Sequence, residues 1–250
     1  MTTPTEPGPA THERPPARPS RNVLLVGASA SFGPALLRGF AAQGARVLAS
    51  TRSGRLPAVP EARHLAALDL LDAAALDRFA AETVPAFGRL DIAIFMAGIL
   101  PGRALQDYDD ALLQQVMNSN FSAQAALLRR LLPHFNDGAQ VWMTSSISGE
   151  RGSFDPIYAA SKAALIGFVK SLACWLAPRI RCNALAPALI EHSAMFDAMA
   201  PERRAHHLAA TPTRHLTTPD ELAGVVVHLC EPAWANLNGQ VIRLNGGAHV

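Results

Sequence analysis

Apolar runs that alternate with helix-period stretches, from Asn22 to Leu244, constrain the fold of this chain more than any other feature of its sequence. The first run, Val-Leu-Leu-Val at 23–26, suits a central parallel strand and enters Gly27-Ala28-Ser29-Ala30-Ser31-Phe32-Gly33. A helix is expected over 34–43, closed by Gly44, and a second strand over 46–51. Together they make a βαβ unit. Further strands are expected at 64–68, 91–96, 141–144, 180–185 and 240–244. Helices are expected at 73–82, on either side of Asn118-Ser119-Asn120, after Asp155, and from the capping box Thr218-Pro219-Asp220-Glu221 to Leu229. Such alternation predicts an α/β fold: a doubly wound, mostly parallel sheet with helices on both faces, in a single domain. Ligands of such sheets gather at the carboxyl ends of the strands, where this chain places its polar clusters.

A length of 250 residues, 49% hydrophobic and 17% charged, suits one large globular domain over residues 21–250. Residues 1–20, rich in Pro, Thr, Glu and Arg and without apolar period, read as a disordered tail with no export signal. A net charge of +2 without a basic run gives nucleic-acid binding no support. No uninterrupted apolar run reaches the length of a membrane span, and a cytoplasmic protein is expected. Cys174, Cys182 and Cys230 show no C-x-x-C spacing and read as reduced, buried thiols; the scattered histidines form no ligand set, so no metal is expected.

The stretch from Asp155 to Pro178 reads as a helix capped by Asp155, opened by Pro156 and stopped by Pro178. Leu165, Phe168, Val169, Leu172 and Leu176 form its expected buried stripe. Tyr158 and Lys162 lie one turn apart on one face. An ammonium beside a phenol favours the phenolate, so Lys162 is expected to lower the Tyr158 pKa towards general acid–base work. The alternative is a surface tyrosine over a surface lysine. The chain has two lysines and two tyrosines, and chance gives this spacing roughly one time in sixty. The glycine turn likewise has two readings: a tight turn alone, or a backbone cradle that seats a pyrophosphate on the following helix.

With these motifs in this order, the sequence from Asn22 to its end resembles the short-chain dehydrogenase/reductase family, in its single-domain, Rossmann-like form. Tyr158-Ala-Ala-Ser-Lys162 matches the family's Tyr-x-x-x-Lys, Ser146 its serine and Asn120 its asparagine. The resemblance implies that Tyr158 exchanges a proton with the carbonyl or alcohol oxygen and that Lys162 lowers its pKa and bonds the nicotinamide ribose. It further implies that Ser146 holds the substrate oxygen and that Asn120 supports a water in the proton relay. Asp69 matches the residue that contacts the adenine ring. Gly27, Ser29, Ser31, Phe32, Gly33, Arg52, Leu70, Ala97, Gly98, Pro187 and Ile190, with Tyr158 and Lys162, complete the implied cofactor contacts.

The second strand ends in Thr51-Arg52-Ser53, not in an acidic residue that would bond the ribose hydroxyls of NAD. Arg52 can pair with a 2′-phosphate, so NADP is expected rather than NAD; a solvated arginine is the other reading. The chain departs from the family pattern at Val26 and Ser31 in the turn, at Phe95-Met96 where two asparagines are usual, and at Pro187-Ala188 where Pro-Gly is usual. These changes touch cofactor affinity more than proton transfer. The implied activity is hydride transfer between NADP(H) and a carbonyl or secondary alcohol of a small molecule, the substrate shaped by a loop over 188–217. A lyase, epimerase or cyclase on the same scaffold is the alternative, and a non-catalytic ligand sensor a third. A homo-oligomer, tetramer or dimer, is what the resemblance implies.

Overall fold

The computed structural model describes residues 20–56 and 59–250; the expected tail, apart from Ser20, lies outside them. The described strands are β1 (Asn22–Val26), β2 (Arg46–Thr51), β3 (His64–Ala67), β4 (Leu90–Phe95), β5 (Phe135–Thr144), β6 (Ile180–Pro187) and β7 (Val241–Leu244). They form one sheet in the order β3-β2-β1-β4-β5-β6-β7. Every pairing is parallel.

Side-chain alternation along β1 explains the two layers. Val23 and Leu25 join a core with Leu36, Leu37 and Phe40 of α1 (Gly33–Ala42), and with residues of a C-terminal helix over 219–229. Leu24 and Val26 face the opposite core, shared with α2 (Ala73–Arg78), α3 (Val84–Phe87) and two further helices. Those are α5 (Ala123–Leu131) and, beyond the short α6 (Ser148–Arg151), the long α7 (Pro156–Leu176), against which α4 (Asp110–Met117) packs. Two more, α8 (Ala194–Asp197) and α9 (Pro201–Ala210), precede α10 (Pro219–Leu229). All four β1 residues from Val23 to Val26 are fully buried, as a parallel sheet covered on both faces requires. The chain steps outward from β1 to β3, then returns to lay β4 on the other side of β1. Neighbouring connections therefore leave the carboxyl ends of β1 and β4 in opposite directions, which opens a crevice there.

Three expectations change. The helix expected to end at 82 continues through a π-turn, Phe79–Thr83, into α3, because Phe79, Ala80, Val84 and Phe87 keep one buried stripe going. Pro85, which has no N–H to bond the preceding turn, lies just beyond this π-turn. β5 starts at Phe135, ahead of the expected 141: Asn136-Asp137-Gly138 reads locally as a turn, but Phe135 pairs with Leu90 and Ala139 with Ile180. Tertiary pairing overrides propensity there.

On α7 the buried face is Tyr158, Ser161, Lys162, Leu165, Val169 and Ala173, while Phe168, Leu172 and Leu176 lie half-buried at its edge. The expected stripe is rotated because the helix turns its polar Tyr158–Lys162 row inward. By length and a mean hydropathy of 1.3, α7 matches a membrane span. It instead packs along β6 and buries a lysine, and 33% of its apolar window is covered within this chain. The loop expected over 188–217 contains α8 and α9, and a parallel bridge between Ile190 and Thr217 draws its ends together.

Candidate active site

Gly27 leaves β1 at φ 77°, and its N–H donates to the Ser50 carbonyl at 3.0 Å. An added Cβ would lie 2.8 Å from the Ala97 nitrogen, so the turn and the end of β4 touch through backbone. At the other end of the turn, a Cβ on Gly33 would run into the Ala28 carbonyl, 2.7 Å from its carbon. Phe32 precedes α1 without a side-chain cap, and Pro34 occupies the first turn. The N-terminal donors of α1 are thus not claimed by a capping side chain, the arrangement that receives a phosphate.

A cavity of about 400 Å³ opens beside this turn, within the range of small-molecule sites. Of the sequence-derived cofactor residues, Gly27, Ser29, Arg52, Asp69, Leu70, Ala97 and Gly98 line it. Ser31, Phe32, Gly33, Pro187, Ile190, Tyr158 and Lys162 do not. The Phe32 and Ile190 side chains are packed in the core, so only their backbones are free to meet a ligand. Sequence reasoning missed Val26, Ala30, Ser50, Thr51, Leu68, Leu71, Ile99 and Ser119 among the lining residues. Their signal was position: most close a strand or a turn on the carboxyl side of the sheet. Arg52 is exposed at the end of β2 and forms no ion pair among the described residues.

The structure brings Asn120, Ser146, Tyr158 and Lys162 together. Ser146 follows β5 and accepts from the Ser148 N–H at 3.1 Å. The fully buried Asn120 lies in a π-turn, Asn118–Ser122, between α4 and α5. Its Oδ1 accepts from the Ile99 N–H at 2.7 Å, and its Nδ2 donates to the Ile99 carbonyl and to Ser161 Oγ, both at 2.9 Å. Both amide hydrogens are committed to the protein, which leaves only Oδ1 to meet a water. A Cβ at Gly98 would stand 3.2 Å from both Asn120 Oδ1 and Lys162 Nζ. Glycine keeps open the gap between them. Gln124, also fully buried, donates to the carbonyls of Ala97 at 2.9 Å and Asn120 at 2.8 Å, and so braces the cavity floor from below.

The expected acidic phenol is corrected here. Burial pushes the Tyr158 pKa above its ordinary 10; a hydrogen bond with Ser146 pulls it down, and the Asp155 carboxylate pushes it up again. Lys162 does not offset this. Its Nζ lies 5.7 Å from the Tyr158 ring centre and donates to the Thr144 carbonyl at 2.8 Å, while burial lowers its own pKa to about 8. Desolvation outweighs the neighbouring charge. Two of the three thiols are buried as expected, and burial raises Cys182 and Cys230 to about 12, which makes them poor nucleophiles; the third, Cys174, is exposed on the outer side of α7, contrary to expectation.

A phenol, an ammonium and a hydroxyl therefore converge beside a cavity lined by the glycine turn and the end of β4. That arrangement can deliver a proton to, or remove one from, an oxygen held by Ser146. Residues 27–249 match the family described as Enoyl-(Acyl carrier protein) reductase. The chain is 30% identical over 239 residues to the 3-oxoacyl-[acyl-carrier-protein] reductase FabG of Escherichia coli, covering 91% of this chain and 96% of that one. It is 30% identical over 249 residues to the L-rhamnose 1-dehydrogenase (NAD(P)(+)) of Azotobacter vinelandii, covering 92% and 97%. Among solved structures, a short-chain dehydrogenase/reductase of Brucella melitensis superposes with a TM-score of 0.83 at 26% identity, covering 92% and 97%.

Proposed function

The chain belongs to the short-chain dehydrogenase/reductase family of NAD(P)-dependent oxidoreductases, and from that premise we propose that it reduces a carbonyl, or oxidises the matching secondary alcohol, of a small molecule with NADP(H). The observation that carries the reading is the convergence of Tyr158, Ser146 and Lys162 at the carboxyl edge of the sheet, next to a cavity lined by Gly27, Gly98 and Arg52. A bound nicotinamide supplies the hydride that no side chain can. The backbone between Gly27 and Gly33 would hold the pyrophosphate at the start of α1, and Asp69 and Leu70 would border the adenine. The Ser146 hydroxyl donates to the substrate oxygen and orients it. The Tyr158 phenol then gives that oxygen its proton, or in the oxidative direction removes it. The Lys162 ammonium, anchored on the Thr144 carbonyl, would hold the nicotinamide ribose by a hydrogen bond. A water seated between Asn120 Oδ1 and Lys162 Nζ, in the gap that Gly98 leaves, returns the proton.

NADP is favoured over NAD because Arg52 borders the cavity where the adenosine ribose would lie and forms no ion pair among the described residues. Turnover of NADPH against a panel of ketones, ketoacyl thioesters and sugars tests both parts. Arg52→Ala is expected to raise the dissociation constant for NADPH by about 10–100-fold, the worth of one or two charge-assisted bonds, and to leave that for NADH alone. Equal or tighter NADH binding by the unmodified protein contradicts the preference, and saturable NADPH binding without turnover of any carbonyl favours the non-redox lyase, epimerase or cyclase reading. The same proposal includes a cytoplasmic homo-oligomer, dimer or tetramer. Its support is the apolar outer face of α7, where Trp175 is 84% exposed.

A further inference from the structure

Asp155 caps α7 through its bond from the Tyr158 N–H at 2.9 Å, but that bond is one of several. The carboxylate also accepts from the Gly102 N–H at 2.9 Å, the Arg103 N–H at 3.2 Å and the Tyr108 hydroxyl at 2.8 Å. It is 1% exposed. A helix cap needs one acceptor, and serine or asparagine supplies it without burying a charge. A buried carboxylate is costly unless several donors surround it, so this residue exceeds what a cap requires.

All the extra donors belong to one segment, residues 99–108, which runs from the cavity to the start of α4. Its near end is held by Asn120, which bonds both the N–H and the carbonyl of Ile99. Its middle and far end are held by Asp155. The same two side chains fix the backbone of Tyr158. Asp155 takes its N–H, and Asn120 bonds Ser161 Oγ, which donates to the Tyr158 carbonyl at 2.7 Å. Segment and phenol are thus tied into one hydrogen-bonded unit. Ile99 already lines the cavity, so the segment leaves the cofactor site and passes the catalytic helix at its N-terminus.

We propose that Asp155 is a positioning residue that locks residues 99–108 to the Tyr158 backbone, making this segment a fixed wall of the carbonyl pocket and a determinant of which substrates fit beside the phenol. The inference rests on the catalytic reading of Tyr158 given above. Asp155→Asn separates the two roles of the carboxylate. Asparagine keeps an oxygen for the Tyr158 N–H and so keeps the cap, but its NH₂ opposes the donors of Gly102 and Arg103. Tyr108→Phe removes only the phenol bond.

Amide hydrogen exchange by mass spectrometry, with NADPH present, reads the lock without reference to turnover. In Asp155→Asn, exchange across 99–108 is expected to rise by about tenfold or more, with a smaller rise in Tyr108→Phe and none across 24–33. Steady-state kinetics read the consequence: KM for the carbonyl rises about tenfold in Asp155→Asn while the NADPH dissociation constant stays within about twofold. Unchanged exchange across 99–108 overturns the proposal. So does a loosened segment with unchanged carbonyl KM and only a lower melting temperature, since that is a structural role alone. If the unmodified protein reduces no carbonyl, the catalytic reading falls, and the exchange result still decides whether Asp155 ties the segment.

Discussion

Tyr158→Phe is expected to lower kcat for carbonyl reduction by about 10²–10⁴-fold, the usual worth of a positioned general acid, while NADPH binds as before. Phenylalanine keeps the ring and its packing, so α7 and its Asp155 cap are undisturbed; only the hydroxyl is lost. Ser146 cannot replace it, because a serine hydroxyl orients an oxygen but is too weak an acid to protonate it. The corrected pKa directions give the pH behaviour its sign. An acid whose folded pKa lies above 10 is still protonated at neutral pH, so Tyr158 does not limit reduction there. Lys162, lowered to about 8, becomes limiting above neutral pH. Its positive charge is nearly complete well below pH 8, half lost near it and gone well above it, so kcat/KM with the dinucleotide varied is expected to be nearly flat towards neutral pH and to fall as pH rises through about 8. A profile that instead rose through pH 8 would assign the limb to a group that must lose its proton, and would remove Lys162 from that role.

Gly33→Ala is the second large effect. The added Cβ meets backbone on the far side of the turn, the Ala28 carbonyl, and backbone cannot rotate away as a side chain can. Either the turn opens or α1 slides along β1, and both carry the phosphate cradle out of register. Overpacking of this kind costs about 1–3 kcal/mol, equivalent to a melting temperature about 3–10 °C lower in a domain of this size. Dinucleotide affinity is expected to fall by at least about tenfold through the same displacement. Gly224→Ala, in α10, is the matched control: nothing stands within 4 Å of its Cβ position, so it should be neutral or stabilise by about 0.5–1 kcal/mol. A thermal melt and a binding titration on the two variants measure both effects. Equal behaviour of the two would show that the turn tolerates a side chain and that the close approach to Ala28 does not matter.

Much of the scaffold was legible because period and punctuation agree along the chain. The buried run at 23–26, the glycine turn, the Asp155 cap and the Thr218–Glu221 capping box are local features, and each appears in the structure where the residues indicate it. Tyr158 and Lys162 stand out by their spacing, whereas Ser146 and Asn120 stand out only through the family resemblance; the structure brings the four together. What could not be read depends on partners distant in sequence. Phe135 extends β5 because Leu90 lies beside it, across a stretch whose Asn-Asp-Gly reads as a turn. The π-turn that seats Asn120 is fixed by Gln124 and Ile99, not by a propensity of Asn-Ser-Asn. The tyrosine pKa went the other way because spacing reports the neighbouring amine, whereas burial, which dominates, is a property of the whole fold. Asp155 looked like a cap because its other donors lie some fifty residues earlier in the chain.

The central claim is that the crevice at the ends of β1 and β4 binds a nicotinamide dinucleotide next to Tyr158. Titrating the purified protein with NADPH and following the fluorescence of the reduced nicotinamide tests it most directly. A saturable enhancement with one site per chain, preserved in Tyr158→Phe and weakened in Arg52→Ala, is the expected result. A signal that grows linearly with NADPH and with NADH, without saturation, would contradict the account.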